Sequence, residues 1–314
     1  MAQKLFIITG QTGTGKTKLA EQLAQQINGD LVSADARQAY QYLDIVTGKD
    51  ISDSSFCLQE KNGDISLGYY QAGPTKVWLY DMVNPKKYLS AYDWAVACQK
   101  VLGSIISSGK TPIIIGGTYF YINTVLYGLS AGGNPQWDER KKLEMLSVYE
   151  LRKKAEELAH EDFRALNNSD QYNPRRLVRF IEKHTDNTMG GAGFVGIAAE
   201  YDCTTIALKF PSTEYTRKAL SQRVDERLKS GAIDEAETLL HMGYTPGDPG
   251  LNTIGYKQIF AYLAGEKRYD EMRDEWITKE CQYAKRQLTL IKQNGSVLWY
   301  NCDEALLKNV SGLI

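Results

Sequence analysis

The run LFIITGQTGTGKTKLAEQLAQQI near the amino terminus restricts this chain more than any other part of it. It fits the pattern G-x-x-x-x-G-K-[ST], with Gly10, Gly15, Lys16 and Thr17 at the required spacing, an apolar strand leading in and a helix leading out. Leu19, Leu23 and Ile27 recur every four residues beside Ala20 and Ala24, and Asn28-Gly29 supplies a stop. Backbone N–H groups at such a helix start face an anion, Lys16 adds a positive charge, and the Thr17 hydroxyl is a candidate ligand for Mg2+. The bland alternative is a glycine-rich turn without a ligand, but the strand and helix around it favour a phosphate-binding loop. The loop alone does not say whose phosphate it holds.

Downstream segments place the loop in a sheet. GDLVSAD reads as a buried strand ending on Asp35, VWLYDMVNP as another strand, and TPIIIGGT as a continuous apolar strand of the kind covered on both faces in a parallel sheet. Ser90 with Asp93 marks a capping box, followed by the helical stripe Trp94, Cys98, Val101, Leu102, Ile105 and Ile106 up to Gly109. Strands alternating with helices imply an α/β fold, a P-loop doubly wound, mostly parallel sheet with ligands at the carboxyl ends of its strands. Three such ends carry suggestive residues: the loop from Gly10 to Thr17, Asp35, and Gly116-Gly117-Thr118. ARQAYQYLDIVTGKD is a mostly polar connection, and ISDSSFCLQEKNGDISLGYYQAGPTK favours turns or a short hairpin. From about Leu129 the chain is strongly charged with helical spacing, TTIALKF returns it to the core, and helices and a last strand-like SVLWYN follow. The expected parts are residues 1–128 as the first part of the core, 129–200 as a helical insertion, and 201–314 as the return to the core with carboxyl-terminal helices.

Composition narrows the classes. A chain of 314 residues, 24% charged and 43% hydrophobic, has ordinary globular usage. Its amino-terminal apolar stretch is too short to span a bilayer and lacks a cleavage site, which reads as cytoplasmic. Cys57, Cys98, Cys203, Cys281 and Cys302 are scattered without a C-x-x-C pair, so they read as reduced, and a zinc site is not expected. A net charge of −1 argues against indiscriminate nucleic-acid binding and leaves room for a local basic face. NPRRLVRFIEKH offers one, with Arg175, Arg179 and Lys183 at i, i+4 and i+8 and Arg176 beside them against Glu182. Such a run is more often a solvated face than a phosphate track. A nucleoside triphosphatase would carry an apolar strand ending in an acid that holds Mg2+ through water; PIIIGG ends in glycine, which leaves Asp81 of VWLYD, equally readable as a strand-end turn residue. Asp35 is a candidate general base or a helix cap, and Thr118 a ligand-facing hydroxyl or a surface turn residue.

The blocks GQTGTGKTKLAEQLA, GDLVSADARQAYQYLDIVTGK, YDMVNPKKYLSAYDWA, GKTPIIIGGTYFYINTVLYGL, NPRRLVRFIE, TRKALSQRVDERL, IGYKQIFAYLAGE and YAKRQLTLI occur in an order that resembles the bacterial tRNA dimethylallyltransferases, or tRNA isopentenyltransferases. The resemblance runs over nearly the whole chain. Members move a dimethylallyl group from dimethylallyl diphosphate to the exocyclic N6 amine of the adenine just 3′ of the anticodon, releasing diphosphate. The likeness therefore implies a prenyl diphosphate in the loop, although such loops are widely described as ATP-binding.

The resemblance also implies roles. Asp35 matches the base that accepts the amine proton. Gly10, Gln11, Thr12, Gly13, Thr14, Gly15, Lys16 and Thr17 would hold the diphosphate with Mg2+ at Thr17, while Thr118 and Arg223, favoured over Arg227, would stabilise the departing charge. Contacts to tRNA fall on Asp35, Ala36, Arg37, Gln38 and Thr118, on Arg140, on Arg175, Arg176, Leu177, Val178 and Arg179, and on Asn252, Thr253, Ile254, Gly255, Tyr256 and Lys257. The basic helix thereby becomes a phosphate track, the 129–200 insertion a swivel-like tRNA-binding arm, and the protein a monomer that needs no membrane. An anticodon loop is single-stranded, which makes extrusion of its adenine easier.

There are departures. Gln11 stands where proline is common, Gly13-Thr14 where alanine-serine is, the segment 50–76 is longer than usual and lacks histidines before Asp81, and no zinc-finger-like tail follows. The competing classes are a small-molecule P-loop kinase, a prenyltransferase acting on free adenine nucleotide, and a nucleotide-dependent RNA-binding module.

Overall fold

In the computed structural model the described residues are 2–49, 55–129, 137–185 and 193–302. The chain divides into two compact units, Met1–Tyr127 with Gly196–Ile314, and Gly128–Val195. The first unit holds the strands β1 (Gln3–Gly10), β2 (Gly29–Ser33), β3 (Cys57–Asn62), β4 (Ile65–Ala72), β5 (Thr75–Trp78), β6 (Thr111–Ile115), β7 (Tyr201–Lys209) and β8 (Leu298–Asn301). They form an 8-stranded sheet in the order β3-β4-β5-β2-β6-β1-β7-β8. Neighbours from β5 to β8 in that order run parallel, and β3 and β4 add an antiparallel edge.

In chain order the helices are α1 (Lys16–Ile27), α2 (Ala91–Ser107) and α3 (Tyr119–Tyr127), then α4 (Trp137–Glu144), α5 (Val148–Leu158), α6 (His160–Ala165), α7 (Asn168–Gln171) and α8 (Pro174–Thr185) of the second unit. The first unit resumes with α9 (Thr213–Lys229), α10 (Ala232–His241), α11 (Tyr256–Leu263) and α12 (Tyr269–Ile291). No helix among the described residues is long and apolar enough to cross a membrane.

Local sequence explains the central layer. β2 is buried throughout and β6 nearly so, as continuous apolar runs inside a parallel sheet require. The capping box opens α2: Asp93 N donates to Ser90 Oγ at 3.1 Å, and Ser90 N donates to the Asp93 carboxylate at 3.2 Å. Trp94 Nε1 then donates to the Ser33 carbonyl at 3.0 Å, which ties α2 to the carboxyl end of β2. Two backbones meet closely where β1 pairs with β7, Gly10 opposite Leu208. A Cβ at Gly10 would lie 2.1 Å from the Leu208 carbonyl oxygen, at a φ of 132°.

The structure differs from the sequence reading in two places. The regular strand in VWLYDMVNP ends at Trp78, where Leu79 and Asp81 turn left-handed with φ 66° and 53°, and beyond it Val83 adds one isolated parallel bridge to Tyr40. Asp81 is buried at that turn, where its carboxylate accepts from the Lys49 ammonium and the Tyr70 hydroxyl, so it is the strand-end structural residue of the two alternatives. The polar connection 36–49 buries Ala39, Leu43 and Val46. Its turn is gripped by Glu235 of α10, whose carboxylate accepts from the amides of Asp44, Ile45 and Val46 at 2.9, 2.7 and 3.0 Å and from the Tyr256 hydroxyl at 2.5 Å. Of the segment 50–76, residues 50–54 lie outside the described residues, and the rest holds β3, β4 and the first residues of β5, with β3 and β4 forming the short hairpin expected there, turning at Gly63.

The second unit has its own core, with Leu143, Leu151, Ala155, Phe163, Leu177, Val178, Phe180 and Ile181 drawn from α4, α5, α6 and α8.

Two glycines separate backbone constraint from free space. Gly103, inside α2, has nothing within 4 Å of a built Cβ, so Gly103→Ala is expected to raise stability by about 0.5–1 kcal/mol. Gly10→Ala is expected to lower it by more than about 2 kcal/mol. Urea midpoints of the purified variants check both signs.

Candidate active site

The turn between β1 and α1 is held by its own side chains. Gln11 N donates to the Leu208 carbonyl at 3.1 Å, and Gln11 Oε1 accepts from Phe210 N at 2.8 Å. The Gln11 carbonyl in turn accepts from Thr14 Oγ1 at 2.8 Å and from Lys16 Nζ at 2.7 Å. Gln11 and Thr14 therefore point into the protein and shape the turn, whereas Thr12, Gly13, Gly15, Lys16 and Thr17 line a cavity of about 160 Å³. Gly10 lies below it, pressed against β7. Burial lowers the Lys16 pKa to about 8, with Asp35 opposing that shift and Arg223 adding to it.

The carboxyl ends of β2 and β6 form a second wall. Asp35 lines the cavity with Ser33, Arg37 and Gln38, and its Oδ1 accepts from Arg37 N at 2.9 Å. That bond closes a turn rather than capping a helix, and it leaves the other carboxylate oxygen for a ligand. Gly116 and Gly117 also line the cavity. A Cβ at Gly116 would lie 2.2 Å from the Ala34 carbonyl oxygen, and one at Gly117 would lie 2.2 Å from Gln287 Nε2. Thr118 stands behind this wall: its Oγ1 accepts from Ala36 N at 3.0 Å, its amide donates to the Ala34 carbonyl at 3.0 Å, and its hydroxyl meets the Tyr283 phenol. It positions the Asp35–Ala36 turn and is not among the lining residues.

Helices α9 and α12 supply the remaining charge. Arg223 and Arg227 both line the cavity and both reach Gly48, where a built Cβ would lie 2.6 and 2.8 Å from their guanidinium nitrogens. Both arginines of the choice that the sequence left therefore stand at the cavity. Arg227 donates to the Thr47 carbonyl at 3.3 Å, lies 3.6 Å from Glu280, and has its pKa lowered to about 9 by burial, with the Arg223 cation adding to the shift. Burial opposes ionisation of Glu280, but Arg37 at 3.0 Å and Arg227 hold its carboxyl below the ordinary range. The Arg37 guanidinium also lies 4.4 Å above the Tyr283 ring. Burial, then Asp35, pushes the Tyr283 phenol up to about 12.

Gln287 clasps the two walls. Its Oε1 accepts from Thr12 N at 2.8 Å and its Nε2 donates to the Gly117 carbonyl at 2.9 Å. Sequence reasoning singled out none of Glu280, Tyr283 and Gln287. The available signal was their spacing of three and four residues, which puts polar groups along one face of α12.

The basic positions of the second unit are more mixed than the sequence implied. Leu177 and Val178, 0% and 2% exposed, belong to that unit's core, so the expected contact surface at 175–179 narrows to the arginines. Arg175 and Arg176 are exposed, Arg176 pairs with Asp170, and Arg179 lies 3.2 Å from Glu182. Arg140 lies 3.3 Å from Glu144 and 3.5 Å from Glu182. In the first unit, Asn252 and Lys257 are exposed and Thr253 and Ile254 half-buried, but Gly255 is buried and the Tyr256 side chain is buried against Glu235. Among the described residues no cluster of three or more His, Cys, Asp or Glu could hold a metal. The donors at the cavity, the Thr17 hydroxyl and Asp35, fit a hard cation that leans on ligand phosphate oxygens and keeps its waters.

Comparisons with known proteins agree on one family. A family model described as IPP transferase matches residues 71–294, and one described as isopentenyl transferase matches residues 3–86. A tRNA dimethylallyltransferase from Acetivibrio thermocellus is 31% identical over 98% of this chain and 96% of its own. The solved full-length tRNA isopentenylpyrophosphate transferase from Bacillus halodurans is 26% identical with a TM-score of 0.67, covering 99% of this chain and 95% of that one. A eukaryotic dimethylallyltransferase solved acting on tRNA, 20% identical, shares the fold with a TM-score of 0.71 over 99% of this chain and 77% of that one.

The Lys16 pKa sets a pH dependence. Because it lies below the usual 10.5, the ligand-free protein loses this cation as pH rises through about 8. An alkyl diphosphate is expected to bind progressively more weakly above that pH, by up to about tenfold per unit. Lys16→Met should bind weakly throughout and lose the slope, as calorimetric titration at several pH values would show.

Proposed function

Because the chain belongs to the tRNA dimethylallyltransferase family, we propose that its cavity takes dimethylallyl diphosphate and passes the prenyl group to the N6 amine of the adenine just 3′ of the anticodon. The chain is a prenyl-transferring, tRNA-modifying transferase. The observation that carries the detailed reading is that one cavity brings the carboxylate of Asp35 together with the phosphate loop and the cations Lys16, Arg223 and Arg227. A base and an anion sink are what transfer from a diphosphate to an aromatic amine requires.

The steps follow from these groups. The adenine amine is a poor nucleophile, because its lone pair is delocalised into the ring. As its nitrogen bonds to the first prenyl carbon, the bond from that carbon to the diphosphate oxygen breaks. The amine proton passes to Asp35, and the charge on the departing diphosphate rests on the loop amides, Lys16, Arg223 and Arg227. The Thr17 hydroxyl would help hold a divalent cation such as Mg2+, which would supply further positive charge to the leaving group. Thr118 acts through Ala36, keeping the Asp35 turn in register with β6. Against a kinase, the strand-end acid that such an enzyme would use for a metal, Asp81, is committed to Lys49 and Tyr70.

For tRNA we assign phosphate contacts to Arg140, Arg175, Arg176 and Arg179 in the helical unit. In the core unit we assign contacts to the segment Asp35–Gln38 and to Asn252, Thr253, Ile254 and Lys257. The protein acts as a cytoplasmic monomer on this reading.

Labelled dimethylallyl diphosphate offered with unmodified tRNA, AMP or ATP tests the assignment. Label should enter tRNA alone; label in AMP would identify a free-nucleotide prenyltransferase instead. Asp35→Asn keeps an acceptor for Arg37 N and removes the base, so it is expected to bind tRNA normally and lose transfer by at least about 100-fold. Arg176→Ala is expected to weaken tRNA binding and reduce the salt slope by about one, read from affinities at several salt concentrations.

A further inference from the structure

The cavity walls sort by chemistry. Tyr80, Ile115 and Tyr283 are the carbon-rich side chains among its lining residues, and the rest is glycine, polar or charged. A hydrocarbon gains from leaving water only where it meets carbon, so the prenyl group of the donor has to lie along these three side chains once its diphosphate sits at Lys16 and the arginines.

Two of the three belong to one packed cluster. Tyr80 and Ile115, 5% and 6% exposed, are part of the same core as Phe6, Ile8, Leu31 and Tyr70. The Tyr70 ring lies behind Tyr80 with centroids 6.3 Å apart, and Phe56 lies 5.4 Å beyond Tyr70. Asp81 accepts the Tyr70 hydroxyl, so the backing ring is fixed. Tyr80 is thus the cavity-side member of a row of tilted aromatic rings, the others being Tyr70 of β4 and the partly buried Phe56 just before β3, in the segment that departs from the family pattern. Interiors are close-packed, so a donor with a longer chain cannot push this wall aside without displacing that row.

We propose that Tyr80 limits the length of the prenyl chain, admitting a dimethylallyl group and excluding a geranyl group. This rests on the reading of the site as one for a prenyl diphosphate. Truncating Tyr80 to alanine removes about seven heavy atoms, enough room for the roughly five carbons that an added isoprene unit brings. The hollow would open beside Ile115 and toward Tyr70, continuing the apolar wall rather than entering the charged end of the cavity.

The experiment measures kcat/KM for geranyl and dimethylallyl diphosphates, with unmodified tRNA as acceptor, in the wild-type protein, Tyr80→Ala and Tyr80→Phe. Tyr80→Ala is expected to raise the geranyl-to-dimethylallyl ratio by at least about tenfold, within the range that pocket size commands in donor selection. Tyr80→Phe, which keeps the ring, should leave the ratio within about twofold of wild type. A ratio unmoved in folded Tyr80→Ala overturns the proposal, as does a ratio raised equally by Tyr80→Phe. Should the alanine variant not fold, Tyr80→Leu answers the same question, with a raised ratio expected and an unchanged one overturning it. Wild-type protein that transfers neither group to tRNA would instead overturn the underlying reading of the site, and this assignment with it.

Discussion

Close backbone approach at the carboxyl end of the sheet is the constraint on which the site depends. Gly10 meets the Leu208 carbonyl, and Gly116 meets the Ala34 carbonyl, at distances that leave no room for a Cβ. These contacts bring the ends of β1, β2, β6 and β7 into register, so the phosphate loop and the Asp35 turn face one cavity. Gln287 then locks the arrangement from α12, with one end on the Thr12 amide and the other on the Gly117 carbonyl. Both ends of this amide are satisfied; a carboxylate at the same position would leave the Gly117 carbonyl without its donor, and a hydrocarbon would leave both backbone groups without partners.

The cavity is arranged to need an anion. Lys16, Arg37, Arg223 and Arg227 line it, while Asp35 and, behind, Glu280 are the opposing charges. Burial away from water, with the Arg223 cation adding to it, is why Lys16 and Arg227 hold their protons less firmly than usual. A diphosphate relieves that strain, so its binding should add to the stability of the fold as well as fill the site. The Arg37–Glu280–Arg227 chain holds Arg37 and Arg227 in place before any ligand arrives.

Much of this was legible in the sequence where the cause is local. The phosphate loop, the capping box at Ser90, the buried run of β6 and the acid at the end of β2 each depend on residues close together in the chain. What was missed depends on distant partners. Glu280, Tyr283 and Gln287 look like ordinary polar positions of a long helix until α12 is laid across the sheet ends, and Glu235 is about 190 residues from the amides it grips. The same reason applies at Leu177 and Val178, which lie with Phe180 and Ile181 on the face that α8 turns into its own unit's core, a burial that depends on α4, α5 and α6. Asp81 illustrates the converse, a conspicuous strand-end acid whose role is set by Lys49 and Tyr70.

The hairpin added beyond β5 has an effect at the far margin of the molecule. Strand β3 is almost wholly solvent-facing, carries Gln59, Glu60, Lys61 and Asn62, and loses its regular register between Leu58 and Glu60. Such a border is a poor template for a foreign strand, because charge and irregular spacing frustrate ladder growth. The sheet therefore ends in an edge that discourages one copy from zipping onto the next, while the opposite surface of the same hairpin backs the hydrocarbon wall.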